Sequence, residues 1–417
     1  MEPKSSNGTS SWTRSVLVLS VGWFLLYAAR TILSVTLKDI ADYWMLSESV
    51  LGLISSSFFL AYTILQIPTG FLADKFGSKK VLLVGFSLQS VAVLLSGFAV
   101  TPQQFLLGRV FSGAGQATYF ACQFAIISNI VPEERKALGN SASVAGSALG
   151  TGLGMIFGRL LSNTSIGWRL PFIILGSISV IFILAIKKYV PEPKFQMSPA
   201  NQGVTVNSPE SRNVPSRYKP AMLLTLFSVT HFLSMYGFYL MLTWLPYYLE
   251  ITQGFSPALS ASIPVVMPFV MAPATILGGY ISDKTGSKSS VVNVCLPISA
   301  IATLAIPKAN STLTLILLLA LYGATGKLVI DPGLISYVTE SSPPESRGTM
   351  LALFNFAGAL AMAVAPAVTG YIAEAKGNFD LSFFMAGAFS LLALASFTAA
   401  VRMFEKGVGE LSDSTEN

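Results

Sequence analysis

The chain carries the stretch GFLADKFGSK at residues 70–79 and repeats it as GYISDKTGSK at residues 279–288, 209 positions later. A second pair, PEER at residues 132–135 and PESR at residues 344–347, is separated by 212 positions. Each of the four segments follows a long apolar run. Two independent motifs that recur at nearly the same distance predict an internal repeat, and therefore two similar halves in parallel orientation.

The composition indicates that these repeats lie in a membrane. Of the 417 residues, 52% are hydrophobic and 11% are charged, whereas soluble domains carry about 25% charged residues. Apolar runs of this length are expected to form helices, because an open strand edge would leave backbone groups unpaired in lipid. We therefore predict an all-α membrane protein with twelve transmembrane helices in two six-helix halves, near residues 15–37, 49–73, 81–100, 104–130, 138–160, 170–187, 220–243, 256–281, 291–307, 311–334, 348–372 and 380–402.

Few side chains are available for catalysis or metal binding. His231 is the only histidine, Cys122 and Cys295 are the only cysteines, and the sequence has no phosphate-binding loop that ends in Lys-Ser or Lys-Thr. The sequence thus predicts a protein that is not an enzyme and needs no cofactor or metal. The net charge is +6, but most charges lie in short breaks between apolar runs, so nucleic acid is not an expected partner.

The loops predict the topology. Residues 188–219 are rich in Pro, Ser and Asn and lack apolar periodicity, which indicates a flexible cytoplasmic linker between an N-terminal half at 1–187 and a C-terminal half at 220–417. With the N-terminus inside, the inner segments hold 18 basic residues and the outer segments hold five. This bias predicts that both termini are cytoplasmic, and the short loops favour a prokaryotic inner membrane.

Glycines recur every four residues in the fifth apolar run, at positions 146, 150, 154 and 158. They share one helix face, which lets another backbone approach closely. We expect a packing interface there, and the same spacing would also suit a surface that slides between two conformations.

The chain is similar over essentially its whole length to the major facilitator superfamily. The segment at 70–79 matches that superfamily's cytoplasmic loop signature, and 279–288 is a degenerate copy. The resemblance implies the major facilitator fold and alternating access, with loop charges that hold the inner gate closed in one state. A solvated loop that only sets topology is the alternative. The gating candidates are Asp74, Lys79, Arg135, Asp283, Lys288 and Arg347.

Three basic residues lie within the apolar runs, namely Arg30, Arg109 and Lys327, and Asp331 is the only acid at comparable depth. Each charge costs about 2.5–3.5 kcal/mol at a helix centre, and one carboxylate can neutralise only one of the three cations. We therefore predict a net positive central cavity whose counter-charge is an anionic substrate.

The two arginines are predicted to lie at one depth. Arg30 is about 10 Å from the outer end of the first run, and Arg109 is five or six residues below the same surface. Guanidinium forks can bind a carboxylate, sulfonate or phosphate with two parallel hydrogen bonds. As an alternative, either arginine caps backbone carbonyls or extends towards the interface.

Two further segments, YAARTILS at 27–34 and FLAYTILQIP at 59–68, resemble the anion:cation symporter family, whose members carry sugar acids, sialic acid and glutamate. The resemblance implies that Arg30 and Arg109 bind the substrate carboxylate. Proton-coupled sugar-acid members carry an acid immediately before the first arginine and a glutamate seven residues after the second. This chain has Ala29 and Gln116 at those positions, so the family's usual proton carriers are absent.

Lys327 and His231 each have two interpretations. Lys327 can pair with Asp331 four residues later, or it can contact the anion, because an offset of 211 makes it symmetric with Gln116. His231 either packs as a neutral, hydrogen-bonded side chain or is a candidate proton-coupling site, and Asp331 is the other such candidate. Other polar groups are substrate-binding candidates that can equally serve as interhelical hydrogen bonds: Tyr27, Tyr62, Tyr119, Gln116, Gln123, Tyr239 and Asn355.

These observations together predict a secondary transporter of a small organic anion, with a carboxylate as substrate and an arginine-lined central site. Its partners are the anion, the lipid bilayer, and either protons or a counter-anion, and we expect a functional monomer. The alternatives are an organophosphate/phosphate exchanger, a proton-coupled multidrug exporter, and a membrane receptor or scaffold that transports nothing.

Overall fold

The computed structural model describes residues 8–132, 135–192, 220–285, 288–309, 311–343 and 346–415. In this part of the chain all regular secondary structure is helical and no strand occurs. The α-helices are α1 Gly8–Trp44, α2 Glu48–Phe76, α3 Ser78–Ser96, α4 Pro102–Ile130, α5 Lys136–Ser162, α6 Arg169–Tyr189, α7 Pro220–Ile251, α8 Pro257–Ser262, α9 Val266–Thr285, α10 Lys288–Ala305, α11 Thr312–Thr325, α12 Lys327–Ser341, α13 Arg347–Lys376 and α14 Asp380–Thr415.

The predicted all-α fold with twelve spans is confirmed. Within the described ranges, eleven helical segments are long and apolar enough to cross a membrane. The remaining predicted span corresponds to α4, which is not among these eleven and whose 29 residues include the polar side chains Arg109, Gln116 and Gln123. The predicted linker lies outside the described residues from position 193 onwards, as do residues 133–134 and 344–345 of the PEER and PESR motifs.

Local chemistry sets where several helices begin. Thr101 precedes α4, and its hydroxyl accepts a hydrogen bond from the amide of Gln104 at 3.3 Å, while Pro102 occupies the first helical position. Ser311 caps α11 in the same way through the amide of Thr314 at 3.1 Å. These caps satisfy amides that have no partner within the helix.

Two predicted spans are interrupted. The eighth consists of α8, a 3-10 turn at Ile263–Val265 and α9; Pro264, which has no amide hydrogen, lies in the turn. The tenth divides at Gly326, whose extended backbone (φ −78°, ψ −166°) ends α11 and precedes α12. Apolar periodicity does not reveal a break of a single residue. As a consequence, Lys327 occupies the first position of α12.

The chain forms two compact units. The first contains Met1–Phe195, Leu242–Phe269 and Pro366–Asn378, and the second contains Gln196–Met241, Val270–Ala365 and Phe379–Asn417. The core of the first unit includes Leu19, Trp23 and Tyr119. The core of the second includes Phe227, Tyr337 and Phe397, with Phe227 stacked on Tyr337 at 5.6 Å between ring centroids.

The glycine face of α5 packs directly against the backbone of α1, as predicted. A Cβ built on Gly146 would lie 1.9 Å from the carbonyl oxygen of Ser20, and one built on Gly150 would lie 2.3 Å from that of Phe24. Gly154 and Gly158 face Ala28 and Val35 at 2.6 and 3.0 Å, respectively. This close approach positions α1, and therefore Arg30, within the first unit.

Replacing Gly146 by alanine is expected to destabilise the protein by up to about 3 kcal/mol, because the new methyl group meets a backbone carbonyl that cannot change rotamer. The measurement is the thermal midpoint of the purified protein. Gly348→Ala is the matched control, since this helical glycine of α13 has open space around its Cβ position and alanine raises helix propensity there. Equal midpoints for the two variants would contradict the α1–α5 interface described above.

Candidate functional site: an arginine cleft and a buried charge triad

Arg30 and Arg109 line the same narrow cleft in the first unit. Arg30 lies on α1 and is 6% exposed, and Arg109 lies on α4 and is 2% exposed. The other lining residues are Leu33, Ser34, Ser55, Phe59, Leu242 and Thr243. The lining therefore contains two cations and no acid.

Aromatic rings surround the two guanidinium groups. The Cζ atom of Arg30 lies 4.5 Å from the ring centroid of Tyr27, 5.3 Å from that of Phe59, and 5.4 Å from those of Phe58 and Tyr62. The Cζ atom of Arg109 lies 4.5 Å from the ring centroid of Phe58. Such cation–π contacts are worth about 2 kcal/mol when water is excluded, so the rings help to hold both cations in the apolar interior.

Arg109 has no acidic partner in the described part of the chain. Among the described residues no carboxylate lies within ion-pair distance of its guanidinium, and its buried Nε makes no hydrogen bond. A buried charge or polar group without a partner is costly. The cleft therefore fits a ligand that brings negative charge and hydrogen-bond acceptors.

The contact between α2 and α4 explains why Phe58 lies beside Arg109. A Cβ built on Gly113 would lie 2.1 Å from the carbonyl oxygen of Phe58, so only glycine permits this approach. Further along the same pair of helices, the hydroxyl of Thr69 donates to the carbonyl of Ala117 at 3.2 Å. These two contacts fix α2 against α4 over the two turns that follow Arg109.

Gln116 and Ser112 continue the polar face of α4 that begins at Arg109. Both side chains are 1% exposed, and neither the Gln116 amide nor the Ser112 hydroxyl has a hydrogen-bond partner within the described part of the chain. Positions 109, 112 and 116 share one face of a helix. Buried polar groups in proteins are normally paired, so these two can bind polar atoms of a ligand or water.

The other predicted candidates of the first half divide into two groups. Tyr27 and Tyr62 contact the guanidinium group of Arg30, although neither ring lines the cleft itself. Tyr119 donates its hydroxyl to the carbonyl of Leu19 at 2.8 Å, and Gln123 accepts a hydrogen bond from the indole of Trp23 at 3.2 Å. The structure thus places Tyr119 and Gln123 in contacts between α4 and α1.

A charge triad lies in the second unit. Lys327 Nζ is 2.8 Å from Asp331 Oδ2, and His231 Nδ1 is 3.5 Å from Asp331 Oδ1. The imidazole is stacked on Phe354 at 4.3 Å between ring centroids, and a Cβ on Gly358 would lie 2.1 Å from it. Asp331 therefore pairs with the lysine of its own helix and also faces the histidine, and its role in proton coupling stays a prediction.

Tyr239 and Asn355 differ in exposure. Tyr239 is buried and contacts Phe238 edge to face at 5.1 Å. Asn355 is exposed on α13.

The gating candidates lie at helix ends. Asp74 and Arg135 are exposed, and Lys79 donates to the backbone carbonyl of Lys187 at 3.1 Å. Gly77 joins α2 to α3 with a left-handed backbone (φ 94°), which favours glycine. Arg347 is half-buried at the start of α13, and its Nε makes no hydrogen bond to a described residue. The side chains of Asp283 and Lys288 lie outside the described part of the structure.

Sequence reasoning missed the aromatic part of the cleft. Phe58 and Phe59 contact the arginines, and Ser34, Ser55 and Thr243 line the cleft beside them. A usable signal was present, because positions 55, 58, 59 and 62 have the three- and four-residue spacing of one helix face. That spacing is equally typical of an apolar core, so it did not single out these residues.

The family model of the Major Facilitator Superfamily matches residues 19–296 and 265–413. The chain is 27% identical over 406 residues to the voltage-gated purine nucleotide uniporter SLC17A9 of Homo sapiens, covering 93% of this chain and 90% of that protein. It is 27% identical over 412 residues to the hexuronate transporter of Bacillus subtilis (strain 168), covering 93% of this chain and 94% of that protein.

A solved structure with a similar fold is the crystal structure of a bacterial homolog to the human lysosomal transporter Spinster, in an inward-facing and unoccupied conformation. The TM-score is 0.81, with 97% of this chain and 99% of that chain covered and 18% sequence identity. At this identity the similarity concerns the fold alone.

Proposed function

The chain belongs to the Major Facilitator Superfamily, and on this premise we propose that it carries a small organic anion whose carboxylate binds Arg30 and Arg109. The observation that carries the proposal is the composition of the cleft, which is lined by two buried arginines and no acid. The sequence resemblance to anion transporters agrees with it, since the hexuronate transporter carries a similar sequence over 94% of its length.

The chemistry of the cleft favours an oxyanion. Each guanidinium presents N–H donors in a plane that matches the two oxygens of a carboxylate. A bound anion neutralises positive charge that the acid-free lining of the cleft does not balance. Because it stabilises the enclosed state more than the open one, the anion can shift the equilibrium between conformations, which is what transport by alternating access requires. In this proposal the loop charges at Asp74 and Asp283 stabilise one closed state.

The proposal extends to topology and coupling. The excess of basic residues in the inner loops supports cytoplasmic termini, and the short loops support a prokaryotic inner membrane. A functional monomer is part of the same proposal. The triad of His231, Asp331 and Lys327 supports a coupling role for the second unit, because a proton taken up by His231 would change the net charge of the buried cluster. Without that proton, the transporter would work by exchange or facilitated flux.

An organophosphate/phosphate exchanger is the second candidate. Paired arginines bind phosphate by the same forked geometry, and the similar human protein is a purine nucleotide uniporter. The two candidates differ in which anion competes for the cleft.

Uptake into liposomes that contain the purified protein distinguishes these functions. The panel comprises D-glucuronate, lactate, a short sulfonate, glycerol 3-phosphate and inorganic phosphate, each tested with and without an imposed pH gradient. We expect saturable carboxylate uptake that is inhibited weakly by phosphate. Protein-free liposomes are the control.

Two results would count against the carboxylate proposal. Strong uptake of the phosphates together with poor uptake of the carboxylates would favour the exchanger. If no member of the panel crosses faster than in protein-free liposomes, the anion-transport proposal is wrong, and a receptor or scaffold becomes the better interpretation.

A further inference from the structure

We propose that Phe58 is a positioning residue, whose ring is shared by the two guanidinium groups and makes them act as one binding unit. The inference rests on the proposed function, because it assumes that both arginines bind the anion. Phe58 is 1% exposed, and its ring centroid lies 5.4 Å from the Cζ atom of Arg30 and 4.5 Å from that of Arg109. It is the only described ring that contacts both cations.

The ring is held in place from two sides. The backbone carbonyl oxygen of Phe58 lies 2.1 Å from the position that a Cβ on Gly113 would take. The helices α2 and α4 are therefore in direct backbone contact, and α4 keeps this part of α2 from moving. The Phe58 ring meets Phe59 edge to face, with 5.2 Å between centroids and an interplanar angle of 90°. A ring fixed in this way imposes its position on the two cations that pack against it.

A ring can hold a guanidinium without using its hydrogen-bond donors. The attraction acts between the cation and the negative face of the π system, whereas the N–H groups of the guanidinium point outward in its own plane. A carboxylate partner would occupy those donors and compete with the substrate. An aromatic partner stabilises two neighbouring like charges without itself occupying the N–H donors that bind an oxyanion.

The packing interpretation of Phe58 predicts a different outcome. If the ring only fills space, any apolar group of similar size should preserve the affinity for the anion, and the π-electron density of the ring should have no effect on that affinity. If the ring positions the arginines, the affinity for the anion should fall as the electrostatic potential at the face of the Phe58 ring becomes less negative.

Progressive fluorination separates these two interpretations, because fluorine withdraws electron density and changes ring size little. Phenylalanine with one, two and three fluorine atoms is introduced at position 58 of the full chain. KM and Kd are then measured for D-glucuronate; if another anion of the panel has a lower KM, that anion is used instead. We expect both constants to rise with each fluorine, about tenfold over the series, with an unchanged thermal midpoint.

Phe105 is the matched control. It lies on α4 one turn before Arg109, is fully buried, and packs against Trp168 and Phe172 at 5.4 Å between centroids, with no described cation over its ring. The same fluorinated series at Phe105 should leave KM and Kd unchanged. As a second variant, Phe58→Leu should raise KM and Phe58→Tyr should restore most of the loss.

The fluorinated series and the arginine variants test two separate claims. Constants that stay flat across the Phe58 series, or that rise equally in the Phe105 series, would overturn the role of Phe58 while the proposed function stands. Full transport in Arg30→Ala and Arg109→Ala, or a wild-type protein that binds no anion of the panel, would overturn the proposed function and this inference together.

Discussion

Replacing Arg109 by alanine should lower the affinity for the carboxylate substrate about a hundredfold or more and abolish uptake at concentrations near the wild-type KM. A hydrogen bond to a charged group contributes about 1.5–3 kcal/mol, and a bidentate pair is worth twice that, which corresponds to at least a hundredfold in affinity. Arg30→Ala should have a comparable effect, since both guanidinium groups line the same cleft. The measurement is the concentration dependence of uptake in liposomes.

Lysine at position 109 tests the geometry of the fork. Arg109→Lys keeps the charge but loses the planar pair of donors, so uptake should remain strongly reduced. Arg169→Lys is the matched control, because Arg169 also stacks on aromatic rings, at 4.3 Å from Tyr43 and 4.5 Å from Trp168, but lies outside the cleft. Wild-type uptake in Arg109→Ala, in protein with a normal thermal midpoint, would refute the proposed binding site.

Breaking the pair of Lys327 and Asp331 should strongly destabilise the second unit. Lys327→Met leaves an acid, and Asp331→Leu leaves a lysine, each buried in an apolar span. Removing one partner of a buried ion pair typically costs about 3–5 kcal/mol. The double variant removes both charges, so its thermal midpoint should return close to that of the wild type. The midpoints of the wild type, the two single variants and the double variant form a double-mutant cycle.

The pair of Lys38 and Asp42 is the matched control for this cycle. It has the same four-residue spacing, but its side chains are 29% and 64% exposed, so its coupling should be only about 0.3–0.5 kcal/mol. A coupling at Lys327–Asp331 as small as this would contradict the buried pair. Uptake by the double variant then decides the role of Lys327: a stable protein that transports normally shows that this lysine only neutralises Asp331.

The Lys327 pair shows how far sequence reasoning could go. The spacing of four residues predicted an ion pair, and the internal repeat suggested a substrate contact, and nothing in the sequence chose between them. The structure shows the pair and adds His231, which is 96 positions from Lys327 in the chain. A contact between distant segments depends on how helices pack, which a pattern of apolar runs does not specify.

Tyr119 and Gln123 illustrate the same limit. Both were candidate contacts for the substrate, because they are polar residues within an apolar helix. In the structure the Tyr119 hydroxyl donates to the carbonyl of Leu19, and Gln123 Oε1 accepts from the indole of Trp23. Gln123 Nε2 is buried without a hydrogen-bond partner among the described residues. A polar side chain in a membrane helix must find a hydrogen-bond partner. Either a ligand in a cavity or a neighbouring helix can supply that partner, so the sequence does not distinguish the two.

The sequence by itself determined the number of spans, the internal repeat, the glycine face of α5 and the excess of buried positive charge. These properties follow from local composition and periodicity, because lipid leaves a chain of this kind few solutions other than helices. Only the tertiary structure decided that Phe58 lies between the two arginines, that Gly326 divides a span, and that His231 joins the lysine–aspartate pair. Those relations arise from the close approach of helices at small residues such as Gly113 and Gly358, where the packing of one backbone against another selects which side chains meet.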